Sequence, residues 1–325
     1  MNKNKMNNFL LGFSLLATSI FFQTCLAGPY PERPIKVIVG LGPGSSLDTV
    51  MRLIGQKLAE QMGQPVVVEN RSGAGGNVAA EAVARSAPDG YTLLAVNTGL
   101  AIAPSIYKNL SFNPSKDLIA VAQMTRMPHV LVAPVSLPVN NVAEFIALAK
   151  TQPGRLNFGS AGIGNADHLA GEVLKSMSGI DIIHIAYRGG PPALADLVNG
   201  NLAIVFSGIP GALPLIEAGK LKALAVGTAQ RSAVLPNVPS VAETIPGFDV
   251  SLWYGMMAPA GTRPEIITLI SSALETVLKQ PALIASLNKM GADSAASSAA
   301  EFQRFVNGEY QRWKKVVQEG NVQLD

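Results

Sequence analysis

The chain has 325 residues, with 25 Lys and Arg against 22 Asp and Glu, for a formal net charge of +3. So even a balance excludes the broad basic surface that nucleic-acid binding needs. Hydrophobic residues make up 48% of the chain, enough for a sizeable core.

The first predicted element is a leader. Lys3 and Lys5 give a positive start, and residues 9–22 run uncharged and mostly apolar. At about 1.5 Å per residue that stretch falls short of the roughly 30 Å hydrocarbon core. It reads as a secretory signal rather than a membrane anchor. Ala27 is the small residue before the cut, so residues 1–27 are the expected signal and Gly28 the mature N-terminus. Cys25 raises a lipoprotein alternative, against which Phe22-Gln23-Thr24 is a poor lead-in. Cys25 is the only cysteine, and its removal suits an oxidising compartment. It also leaves no thiol nucleophile and no thiolate metal ligand. Loss of Lys3 and Lys5 lowers the formal net charge from +3 to +1. The ~300 residues that remain suggest about two domains.

Beyond the leader, short β-branched runs alternate with helical patterns. Strands are expected at 35–39, 65–69, 91–96, 130–133, 156–159, 182–186, 202–206, 223–226 and 253–258. This alternation predicts largely parallel sheets with helices on both faces, an α/β fold. Capping boxes are expected at Asn141 with Glu144, Thr262 with Glu265, and Ser298 with Glu301. Pro264 falls in the first turn of its helix. The last helix places Phe302, Phe305, Val306, Tyr310, Trp313 and Val317 on one face, a core stripe, and Gly320 is its expected stop.

Four strand-to-helix loops carry the candidate chemistry. In the first, Gly40 to Asp48, glycines allow close approach and the following helix offers unpaired N–H groups. Such a turn binds an anion without an arginine; the plainer reading is a tight turn capped by Asp48. The second, Gly159 to His168, repeats this design in the other half of the chain. Two N–H clusters facing one ligand suit a dicarboxylate or another polar anion. The third is Asn70 to Asn77, where Arg71 is a candidate partner for a ligand carboxylate; the plainer reading, slightly favoured, is that it is solvated or pairs with a structural acid. The fourth is Asn97-Thr98-Gly99, at a strand end where open sheets bind ligands.

Competing motifs fit poorly. Gly40 and Gly42 begin a dinucleotide-binding pattern with Glu69 as its acid, but Ser45 stands where the third glycine belongs. Neither a P-loop nor a G-x-S-x-G elbow is present, so no cofactor and no catalytic nucleophile is expected. His129, His168 and His184 are too dispersed for a compact metal site and read as hydrogen-bonded structural residues. Of the three, His168 is the best placed to touch a ligand or brace a loop.

The ordered matches Pro43-Gly44 with Asp48 and Arg52, Val68-Glu69-Asn70-Arg71, Gly73-Ala74-Gly75-Gly76-Asn77, Ser160-Ala161-Gly162 with His168-Leu169-Ala170-Gly171-Glu172, Tyr187-Arg188-Gly189 and Trp253-Tyr254-Gly255 span nearly all of the mature chain. With them the sequence resembles the Bug family, the periplasmic receptors of tripartite tricarboxylate transporters. The resemblance implies a fold like the type II periplasmic binding proteins: two Rossmann-like lobes with a hinge and an interlobe ligand cleft. Lobe one would comprise 28–128 and 251–325, and lobe two 129–250. It implies no enzymatic activity. The ligand would be a small carboxylate, held by the loops that match 41–48 and 160–168. Membrane permease subunits would be the partners, with a sensor protein as a further one. Taken with the loop readings above, the expected ligand residues are Leu41, Pro43, Gly44, Ser45, Ser46, Asp48, Asn77, Asn97, Thr98, Ser160, Ala161, Gly162, Gly164, His168, Tyr187 and Ser207. Three positions depart from the family pattern. Leu41 replaces an aromatic, Ser45 a glycine, and Ser207 an aspartate that can pair with a ligand ammonium. The last change points toward a dicarboxylate or aromatic acid and away from an amino acid. An exported enzyme, or a signalling partner that senses a small acid, is the alternative.

Overall fold

The computed structural model describes residues 30–319; the expected leader and Gly320 lie outside them. Its elements run β1 (Ile35–Val39), α1 (Ser46–Met62), β2 (Val66–Asn70), α2 (Asn77–Ala84), β3 (Thr92–Asn97), α3 (Gly99–Ile106), α4 (Pro114–Asp117), β4 (Leu118–Pro134), α5 (Val142–Thr151), β5 (Asn157–Ser160), α6 (Ala166–Ser178), β6 (Ile183–Ala186), α7 (Gly190–Val198), β7 (Ile204–Gly208), α8 (Ile209–Glu217), β8 (Leu221–Val226), β9 (Ser251–Pro259), α9 (Pro264–Leu278), α10 (Pro281–Lys289), β10 (Asp293–Ser294) and α11 (Ala299–Glu319).

One strand belongs to two sheets. Through Pro128, β4 pairs antiparallel with β9, the last partners being Pro128 and Ser251. From His129 onward it pairs with β7 and β8 instead. The first sheet therefore runs β2-β1-β3-β9-β4, with β10 on its edge, and the second has β4 between β8 and β7, followed by β5 and β6. Pro128 has no N–H to leave unpaired, which suits it to the point where a ladder ends. Beside this crossing the chain makes its return: Gly227 N–H donates to the His129 carbonyl at 2.8 Å, and Val250 N–H donates to the Gly227 carbonyl at 2.7 Å. The two sheets and their helices form two α/β lobes that pack, from Pro31 to the last described residue, as one compact unit.

The local sequence explains the main elements. In α1, Leu47, Val50, Met51, Ile54 and Leu58 recur at helical spacing and are fully buried. Each contributes about 1.5–3 kcal/mol of burial. Gly63 ends this helix in the left-handed region, its N–H on the Ala59 carbonyl. The second lobe closes its core with Val130 and Val132 of β4, Val205 of β7, and Leu194 and Leu197 of α7. On α11, Phe302, Val306 and Trp313 are buried as the stripe predicts.

Several expectations are corrected. The sheets are mixed rather than largely parallel, because β4 and β9 run against their neighbours. The first half of β4, residues 118–128, escapes the pattern because it is buried on both faces and shows no alternation. Asp48 does not cap α1: the cap is Ser45, whose Oγ accepts the Asp48 N–H. Thr262 does not cap α9 either. Arg263 holds that position, and the Thr262 hydroxyl donates to the Pro259 carbonyl. Pro264 opens the helix as expected, and Ser298 and Glu301 exchange bonds as a box.

Candidate functional site

Four helices begin at one place. Each follows a strand, and the junctions β1 to α1, β5 to α6, β6 to α7 and β7 to α8 all open onto a cavity between the lobes. Its walls are Ser45 and Ser46 from α1, Asn165 and Asp167 from α6, Gly190 and Pro191 from α7, and Gly208 and Gly211 from α8. Leu41, Asn97, Leu252 and Tyr254 complete the first lobe's side, and Ala161, Leu194 and Ser207 the second's. The first N–H groups of a helix have no acceptor within it, and its dipole adds partial positive charge there. No Lys, Arg or His lines the cavity. Any anion held here is therefore held by helix ends, hydroxyls and amides. The cavity is small, about 20 Å³, room for about one water.

Ser46 joins the lobes, donating from Oγ to the Gly208 carbonyl and accepting from Gly211 N–H, both at 3.2 Å. The Tyr254 phenol lies near Ser46 and Asp167. Burial, and then the Asp167 charge, push its pKa well above the usual range, with Ser46 opposing. On α6, Asn165 Oδ1 accepts the Asp167 N–H at 3.1 Å, which fixes the orientation of the amide. Its Nδ2 is buried without a partner. Asp167 Oδ1 lies 2.8 Å from Nε2 of His129, a residue with no exposed surface.

Seven of the residues singled out from sequence line this cavity: Leu41, Gly44, Ser45, Ser46, Asn97, Ala161 and Ser207. The others stand behind or beside it. Pro43 is exposed at the rim. Asp48 accepts from Gly44 N–H and Asn70 Nδ2 at 2.9 Å and from Arg52 Nε at 3.1 Å. Burial opposes its ionisation, but these bonds outweigh it and hold the carboxyl below the usual range. Thr98 Oγ1 accepts the Trp253 N–H, tying α3 to β9. Asn77 lies near the Tyr107 phenol, which donates to the Ile163 carbonyl at 2.6 Å. Ser160 Oγ sits 2.6 Å from His184 Nε2 and accepts the Gly162 N–H. His168 Nδ1 accepts the Gly164 N–H, and its ring stacks on His184 at 3.7 Å, behind the loop. Burial, then the nearby His184 and Lys175, push its pKa down to about 3. Tyr187 donates to Asp196 Oδ2 at 2.6 Å; burial and that carboxylate push its phenol up to about 12. Arg71 pairs with Glu69 at 2.6 Å on the surface, as read from sequence.

Asn165, Asp167 and Tyr254 were each inside a quoted motif yet not singled out. Asn165 carried the available signal: an Asn two residues before an Asp, at the start of a helix, satisfies its oxygen by capping and leaves its N–H₂ group to point elsewhere.

This geometry has relatives. Residues 50–322 match the family model described as the tripartite tricarboxylate transporter family receptor. The chain belongs to that family. It is 36% identical to Protein BugT of Bordetella pertussis over 312 residues, covering 95% of this chain and 96% of BugT. Among solved structures of like fold, Rpa4515 of R. palustris with adipate superposes with a TM-score of 0.88 at 34% identity, covering 90% of this chain and 99% of that one. MatC of Rhodopseudomonas palustris with bound malate gives 0.85 at 33%, covering 89% and 100%. The family assignment and the two-lobed binding-protein fold expected from sequence therefore hold. Among the described residues no receptor helix is long and apolar enough to cross a membrane, and no His, Cys, Asp and Glu group could hold a metal ion.

Proposed function

We propose that this chain is a periplasmic receptor that captures a small carboxylate between its lobes and presents it to a membrane permease of the tripartite tricarboxylate type. The observation that carries this reading is the convergence of four helix N-termini, from both lobes, on one cavity without a cationic side chain. An anion seated there gathers N–H donors from both halves, so it rewards closure. Adipate and malate, bound by Rpa4515 and MatC, are both dicarboxylates, which supports the same class here.

Lobe one is assigned residues 28–128 and 251–325, and lobe two 129–250. The register change of β4 between Pro128 and His129 supports this division. The two adjacent chain crossings act as the hinge. At about 20 Å³ the cavity is far below the roughly 300 Å³ or more of typical small-molecule sites, so uptake requires the lobes to part. Closure shifts the population only through contacts that the open form lacks; Ser46 with Gly208 is one such contact between lobes.

A thermal-shift screen of di-, tri- and aromatic carboxylates tests the reading. At about 100 times its Kd a ligand stabilises by roughly 2.7 kcal/mol. The proposal falls if none of these acids raises the melting temperature. Recovery of the ligand unchanged after prolonged incubation separates a receptor from an exported enzyme. Co-purification with the permease subunits, and with a sensor protein, tests the partners.

A further inference from the structure

We propose that Asp167 and Asn165 select a 2-hydroxycarboxylate, with Asp167 accepting the ligand's hydroxyl while Asn165 donates to its adjacent carboxylate. This inference rests on the carboxylate-receptor reading and narrows its substrate class.

Two independent observations lead to it. The first is an unused donor. Asn165 is 2% exposed, its Oδ1 is committed to capping α6, and its Nδ2 is buried at the cavity wall with no partner. A buried amide N–H₂ left unpaired is costly, and a ligand oxygen removes the cost. The second is an acceptor in the same helical turn. Asp167 is the one residue of the cavity wall with a carboxylate. Its Oδ1 faces His129, and its Oδ2 takes no hydrogen bond from the described residues. A carboxylate facing an anion-binding cavity repels an oxyanion unless the ligand brings a donor to it. A 2-hydroxycarboxylate presents acceptor oxygens and one donor on neighbouring carbons, matching a donor at the N-cap of α6 and an acceptor two residues on.

The pair with His129 decides between a hydroxyl and an ammonium. Nε2 of His129 faces Asp167 at 2.8 Å and Nδ1 faces the Val250 carbonyl at 3.4 Å. Oδ1 is thus committed to His129, and Oδ2 is the oxygen left for a ligand donor. A ligand hydroxyl brings one donor, which one oxygen accepts; an ammonium brings three. A hydroxyl is satisfied by that single oxygen, whereas an ammonium's remaining donors meet no second carboxylate in the cavity wall. Ser207 points the same way: its Oγ donates to the Gly208 carbonyl at 3.2 Å and adds no negative charge to the cavity.

Isothermal titration with acids matched at C2 tests this. The sets are succinate, malate and aspartate; glutarate, 2-hydroxyglutarate and glutamate; and phenylacetate, mandelate and phenylglycine. In at least one set the wild-type protein is expected to bind the hydroxy acid about tenfold or more tighter than both companions, the effect of one hydrogen bond to a charged group. In Asp167→Asn and Asp167→Ser that preference is expected to fall to about twofold or less. Equal binding of hydroxy and unsubstituted acids by the wild type overturns the proposal and leaves the receptor reading standing. Tighter binding of the amino acid overturns it too. Binding of no acid in any set overturns this proposal, and the receptor reading falls with it only if the wider thermal-shift screen is silent too. The wild-type comparison stands even where a variant fails to fold.

Discussion

Ser46 holds Gly208 from the opposite lobe: one hydroxyl at the start of α1 donates to the carbonyl that precedes α8 and accepts the Gly211 N–H beyond it. Both contacts cross the ligand cavity's edge. They make the first lobe's anion loop a sensor of where the second lobe stands.

Ser46→Ala removes both bonds while keeping the helix start. A net value of about 1 kcal/mol per hydrogen bond predicts a loss of roughly five- to thirtyfold in ligand affinity. Small-angle scattering is expected to show a larger mean radius before ligand is added. Unchanged affinity and radius would show that closure does not use this contact.

Gly75 makes another close approach between lobes. Its φ is +64°, and a Cβ there would lie 2.6 Å from the Ile163 carbonyl oxygen and 3.1 Å from Asn165 N. Gly75→Ala therefore adds backbone strain and pushes away the loop that opens α6. Strain of this kind costs of order 1–3 kcal/mol. Ligand affinity is expected to fall more than the melting temperature of the unliganded protein, because the lobes can separate to relieve the clash.

His168 gives the fold an acid limit. Its pKa is held at about 3 in the folded chain by burial and then by His184 and Lys175, against 6.5 for the free side chain. A lowered histidine pKa means that the unfolded chain binds the extra proton first. Stability is therefore undiminished above about pH 6.5 and is lost as pH falls from there toward 3, by up to about 1.4 kcal/mol per unit. Urea melts between pH 7 and 4.5 are expected to show this slope, and His168→Gln to flatten it. NMR should find the ring uncharged at pH 5.

Glu309 anchors both tryptophans of the chain. One carboxylate oxygen, Oε2, accepts from Trp253 Nε1 at 2.8 Å and Trp313 Nε1 at 3.0 Å. Glu309→Leu leaves two buried N–H groups unpaired, at about 1–3 kcal/mol each. Denaturant midpoints followed by tryptophan fluorescence are expected to fall accordingly. Retention of the wild-type midpoint would show that the two indoles find other acceptors.

The glycine-rich loops were legible because a strand followed by Gly and Ser and then by helical periodicity fixes where N–H groups collect. Leu41, Ser45, Ser46 and Ala161 reach the cavity for that reason. His168 was drawn to the site by its neighbours in sequence, but its ring turns inward to stack on His184. His129 stands 38 residues from Asp167, and only the passage of β4 between the sheets brings them together. Tyr254 enters through the antiparallel register of β9 with β3, opposite Asn97. Pairings of that kind depend on sheet order, which local periodicity does not contain.

The helix-end grip has a consequence for how such a receptor changes cargo. A donor that belongs to the main chain survives nearly every side-chain substitution, so the anchor for the acid group is insulated from mutation. Positions such as Leu41, Asp167 and Ser207 carry no such duty and are free to drift. A new specificity is then reachable in single steps, through intermediates that never lose hold of the carboxylate.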